Sequence, residues 1–147
     1  MCFVLETQSS QTLLAILSAT FRKNAMPLDY LDFEYSEDED GNGTWDAMAS
    51  VADNRWQALL GEVHAVLHWA KQEFRGQRAP LDEGGDWDYD LSAQDDDNGS
   101  ALRIRWAGSS SDLDAATPPS GSYTTLTLTL TGNTAFGDAL RHKFELE

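Results

Sequence analysis

The chain has 147 residues, 41% hydrophobic and 10% aromatic, and 10 Lys+Arg against 25 Asp+Glu give it a formal net charge of −15. That length suits a single domain, residues 1–147, which can bury a core without a metal or a disulfide, and the lone Cys2 excludes an intramolecular disulfide and a Cys₂His₂-type zinc site. The acidity argues against nucleic acid or an anionic membrane as partner, since both would be repelled over a Debye length of about 8–10 Å. No stretch approaches the roughly 18 apolar residues of a membrane span, and MCFVLETQSS lacks the basic region of a secretory signal, so a cytoplasmic protein is expected.

In chain order, Gln11 to Lys23 has the first helical pattern, with Leu13, Leu17 and Phe21 four apart. Ser9 or Ser10 can cap it, and Met26-Pro27 ends it because the residue before proline is pushed out of the α region. A hairpin follows. Leu31, Phe33 and Tyr35 alternate with Asp32, Glu34 and Ser36, and Trp45, Ala47, Ala49 and Val51 alternate with Asp46, Met48 and Ser50. The Asp40-Gly41-Asn42-Gly43 segment between them supplies residues that tolerate positive φ. The longest helix spans about Asn54 to Phe74, with Trp56, Leu59, Leu60, Val63, Leu67, Ala70 and Phe74 on one stripe.

Three more strands alternate in the same way, around Trp87-Tyr89-Leu91, Leu102-Ile104-Trp106 and Leu126-Leu128-Leu130. The connection from Gly108 to Ser122, with three serines and Pro118-Pro119, is expected to be a loop. A helix from Thr134 to Phe144 buries Phe136, Leu140 and Phe144. The expected fold is α+β: a mainly antiparallel five-stranded sheet with three helices, order α-β-β-α-β-β-β-α, packed on one face.

No cofactor fingerprint, phosphate loop or nucleophile elbow is present, and no catalytic residue is assigned. Asp38-Glu39-Asp40-Gly41-Asn42-Gly43 matches the opening of an EF-hand loop, which would make Asp38, Asp40 and Asn42 calcium ligands. The twelfth position, however, is Ala49 where a bidentate Glu belongs, and the flanks read as strands. An acidic hairpin tip is expected. His64 and His68 have chelate spacing, but no third ligand accompanies them. Trp69 lies off its helix's apolar stripe, which makes it either an interface anchor or a ring covered by the Gln77–Leu81 segment.

Charge distribution carries the functional expectation. Eight acids and no Lys or Arg lie between Asp29 and Asp46, and the same count holds between Asp82 and Asp97. If the strands share a sheet, Asp32, Glu34, Asp46, Asp88 and Asp90 meet on its wet face together with Arg103 and Arg105. Two arginines cannot neutralise that many acids, and a net-negative patch steers a basic partner. The expected role is therefore a non-enzymatic protein that binds a basic protein, in the manner of an inhibitor or immunity protein. The first alternative is a small-ligand binder or enzyme with a helix–sheet pocket lined by Trp45, Trp87, Tyr89 and Trp106. The second is a homodimer formed through Trp69 or an open sheet edge.

Overall fold

The computed structural model describes residues 27–75, 77–107 and 112–146. The expected first helix, Gln11 to Lys23, and Cys2 lie outside them. The described chain runs β1 (Phe33–Glu37), β2 (Gly43–Ala52), a 3-10 turn (Asp53–Arg55), α1 (Trp56–Glu73), a second 3-10 turn (Leu81–Glu83), β3 (Trp87–Asp95), β4 (Ile104–Ala107), β5 (Asp112–Ala115), β6 (Tyr123–Gly132) and α2 (Thr134–Phe144).

The five-stranded, three-helix expectation is corrected. The strands form a four-stranded antiparallel sheet of order β1-β2-β6-β3 and a separate two-stranded antiparallel sheet, β4-β5, with two α-helices among the described residues. The physical reason lies in β6. Leu126, Leu128 and Leu130 are fully buried, so this ten-residue strand takes the centre, in register with β2 over its whole length and with β3 over nine residues. The four-residue β4 finds its partner in β5, a strand inside the connection expected to be a loop. β2 and β3 both run antiparallel to β6, hence parallel to each other, and α1 supplies the crossover that parallel strands require.

Both helices lie on the sheet's apolar face. Trp56, Leu59, Val63, Val66, Leu67 and Ala70 of α1, and Phe136, Leu140 and Phe144 of α2, join Trp45, Ala47, Val51, Trp87 and the β6 leucines in one core. Each fully buried large side chain contributes about 1.5–3 kcal/mol. Phe136 stacks on Trp87 at 5.6 Å and 2° and meets Trp45 edge-on at 6.0 Å. The absence of side chains at Gly132 and Gly137 makes this fit. A Cβ at Gly132 would sit 2.1 Å from the Phe136 ring, and one at Gly137 would sit 2.6 Å from the Trp45 ring.

Asn133 starts α2, its side chain accepting from the Phe136 N–H at 2.9 Å and donating to Asp86 at 3.1 Å. Glu62, midway along α1, holds the incoming chain: its carboxylate accepts from the backbone N–H groups of Asp29, Tyr30 and Leu31 at 2.7–3.1 Å.

Candidate functional site

Alternation decides what the other face of the sheet presents. On β2 and β6 the residues between the buried ones are Thr44, Asp46, Met48 and Ser50, and Tyr123, Thr125, Thr127, Thr129 and Thr131. Neither helix covers them, and Met48 and Tyr123 are among the most exposed large apolar side chains. Register then gathers the acids. Glu34 pairs with Asp46, Asp46 with Thr129, and Thr129 with Asp90, so three carboxylates lie in one cross-strand row. Glu34 and Asp46 are direct neighbours, with Cα atoms about 4.5–5.5 Å apart. Asp90 lies two strand spacings from Asp46, roughly 9.5 Å, close to the Debye length. Asp88 occupies the adjoining row, beside Thr131 and Thr44. Asp32 immediately precedes β1 and is exposed, between buried Leu31 and half-buried Phe33. None of the four strands contains a Lys, Arg or His.

Arg103 and Arg105 are not part of that sheet, which corrects the expectation that they share its wet face. Arg105 is in β4, and Arg103 directly precedes it. Arg103 pairs with Asp114 of β5 at 2.5 Å. With Arg105 adding its field, this guanidinium holds the Asp114 carboxyl below the ordinary 3.8. Arg105 lines a recess shared with Asp88 and Asp90 at the β3 edge, and Arg78 reaches Asp88 there at 3.1 Å. Arg78 and Arg105 therefore stand along the β3 margin of the acidic face.

Away from that margin, hydroxyls donate three hydrogen bonds to the carboxylates of the face. Thr129 donates to Asp46 at 2.6 Å. At the far end, Ser50 and Thr125 each donate to Asp96 at 2.6 Å, and these bonds, Ser50 foremost, lower the Asp96 pKa from 3.8. Sequence reasoning missed Asp96 as a member of the face. The signal was its place just beyond a strand whose outward positions run Asp88, Asp90, Ser92 and Gln94.

Asp38, Asp40 and Asn42 form the β1–β2 turn. One Asp38 oxygen accepts from the backbone N–H groups of Asp40 and Asn42, both at 2.9 Å, and the other from the Asn42 side chain at 3.3 Å. Those donors, the Asn42 N–H foremost, lower the Asp38 pKa from 3.8, and Gly41 takes the positive φ of 85° that the turn requires. The carboxylate is thus spent on its own loop, and no cluster of three or more metal-binding side chains occurs among the described residues. His64 and His68 stack on each other at 5.5 Å.

Trp69 is half-buried. It packs against Phe144 at 5.5 Å and Phe136 at 5.9 Å of α2 and against Phe74 at 6.2 Å. Trp45, Trp87 and Trp106 are buried in the core, with indole N–H groups that meet no acceptor among the described residues, and Tyr89 packs edge-on against Trp106 at 5.2 Å. Trp45 also borders a recess of about 180 Å³ between the sheet and α2, with Tyr35, Thr134, Gly137 and Arg141, while Tyr89 and Trp106 line the recess at the β3 edge. No described helix is long and apolar enough to cross a membrane. Comparison with protein-family models, with curated proteins and with solved structures returned no match.

Proposed function

We propose that this is a cytoplasmic, non-enzymatic binding protein whose open sheet face docks a basic protein. The observation that carries the reading is the cross-strand row Glu34–Asp46–Thr129–Asp90, on a face whose four strands contain no basic residue. Fixed carboxylates at strand spacing present a planar anionic array. Such an array raises association rates and selects for positive partners more than it raises bare affinity. Exposed Met48, one step along β2 from the row, adds an apolar contact at the centre of the face.

The test uses a labelled arginine-rich peptide and two variants of equal charge change. Glu34→Gln/Asp46→Asn/Asp90→Asn alters the face, and Glu39→Gln/Asp82→Asn/Glu83→Gln alters exposed acids outside the sheet. Wild-type affinity falls steeply with salt. The face variant binds at least tenfold more weakly, and the control changes less than twofold. Equal losses in both variants would reduce the effect to net charge and refute a docking face.

A further inference from the structure

The outer edge of β3 is incomplete in a way that defines a second site. At one end the Leu102 N–H donates to the Ala93 carbonyl at 2.9 Å, and Gln94 bridges Ala101 in antiparallel register. That register, carried on, would set Leu91 opposite Ile104, Asp90 opposite Arg105 and Tyr89 opposite Trp106. The chain instead diverges to pair with β5, and two adjoining recesses of about 320 and 450 Å³ open between the strands. Together they fall in the size range of small-ligand sites. At the other end the Ala79 N–H donates to the Trp87 carbonyl at 3.0 Å, so chain pairing bounds the cleft on both sides.

Backbone direction alternates with a period of two. The outward carbonyls of Trp87 and Ala93 therefore place the Tyr89 carbonyl and both polar groups of Leu91 on the cleft side. The Tyr89 N–H is taken by Asp88 at 2.9 Å. Asp88 and Asp90 line the cleft from the sheet side with Arg78 beside them, and Arg103, Arg105 and Asp114 line it from the other. Asp88 is engaged by Arg78 and Arg103 by Asp114, while Asp90 and Arg105, which form no ion pair among the described residues, line the recess from its two strands, Arg105 also adding its field to Asp114. The apolar lining comes from Leu91, Ile104 and Trp106.

We propose that this cleft binds a short zwitterionic peptide of two or three residues. Its backbone pairs with Leu91 as a stub of added strand, its carboxylate meets Arg105 and its ammonium meets Asp90. Its apolar side chain lies against Ile104 and Trp106. Closed ends favour a short ligand over a passing chain, and paired opposite charges favour an amphoteric one. The site adjoins the acidic face and shares Asp90 with it, but its ligand carries no net charge.

The experiment follows backbone amide shifts of the full chain by NMR while Ala-Leu-Ala with free termini is added. The shifts concentrate at Tyr89–Leu91 and Ile104–Trp106. The N-acetylated, C-amidated peptide binds at least tenfold more weakly. In Arg105→Gln the peptide with only its C-terminus amidated binds as well as the free one, and an N-methylated leucine in the otherwise free peptide lowers affinity at least fivefold in wild type. Absence of shifts at millimolar peptide, shifts outside the cleft, or equal affinity for free and blocked peptides would each overturn the proposal.

Discussion

Replacing Gly137 by alanine tests the packing that places α2 on the sheet. In an ordinary helix interior the exchange stabilises by about 0.8–1 kcal/mol, because glycine loses more backbone entropy on folding. Here the new methyl lands 2.6 Å from Trp45 Cη2 and 3.0 Å from Cζ2. The indole cannot step aside freely: it is 2% exposed, with Tyr35 at 5.0 Å and Phe136 at 6.0 Å. Forcing a methyl into such a site costs about 1–3 kcal/mol, and the loss of the neighbouring fit tips the sign. Gly137→Ala is expected to lower stability by up to about 2 kcal/mol, the overpacking cost less the helix-propensity gain. Gly61 of α1 is the matched control. It is exposed, a Cβ there meets nothing within 4 Å, and Gly61→Ala is expected to gain about 1 kcal/mol. Urea titration read by tryptophan fluorescence measures both. A Gly137→Ala protein as stable as wild type, or both variants shifting the same way, would refute the argument that Trp45 fills the space the glycine leaves.

Asn133→Ala removes the cap on Phe136 and the bond to Asp86, and should cost about 1–2 kcal/mol in the same titration, with Asn133→Asp retaining most of the cap. The Asp96 carboxyl, held low by Ser50 and Thr125, has a folded pKa below its unfolded value near 3.8. Its contribution is therefore present above pH 3.8 and is lost as pH falls through the lower folded pKa. Carboxyl-carbon NMR titration should show Ser50→Ala moving the Asp96 pKa upward, and an unchanged titration would remove the hydroxyls as the cause.

Much of this fold is legible as period. Trp45-Ala47-Ala49-Val51 and Leu126-Leu128-Leu130 face the core as alternation demands, and α2 spans the expected residues. Strand order was not legible, because period states which side of a strand is buried and says nothing of its neighbour. Ile104 and Trp106 have the same alternation as a sheet strand, yet they turn their apolar side to the core from a separate hairpin. Asp112–Ala115 was hidden for a different reason: four residues between a serine-rich run and two prolines give too short a pattern to stand out. The acids are a different matter. Glu34, Asp46 and Asp90 could be assigned to outward positions from sequence, but their shared row exists only because β6 separates β2 from β3 and fixes both registers. Trp69 was ambiguous because α2, which packs against it, lies more than sixty residues along the chain.

The chemistry of the hydroxyls explains how such a face can be both ordered and charged. Like charges directly opposite on adjacent strands destabilise a sheet, and Glu34 faces Asp46 across β1 and β2. At about 5 Å in a water-like dielectric the repulsion is roughly 1 kcal/mol, small enough for burial of the opposite face to offset. A cation set between the strands would relieve it and also cancel the field. Thr129 at Asp46, and Ser50 with Thr125 at Asp96, do something else: each donates a hydrogen bond that fixes a carboxylate and leaves its charge intact. Thr125 and Thr129 of β6 thus have two functions, as β-branched residues suited to a pleated strand and as neutral donors along the middle of an anionic surface. Replacing Thr129 by valine separates them. Strand preference survives, Asp46 loses its donor while keeping its charge, and affinity for a basic probe should change far less than in Asp46→Asn. If Thr129→Val abolished binding as fully as Asp46→Asn, fixed orientation of the carboxylate, rather than the summed field of the row, would be what the partner recognises.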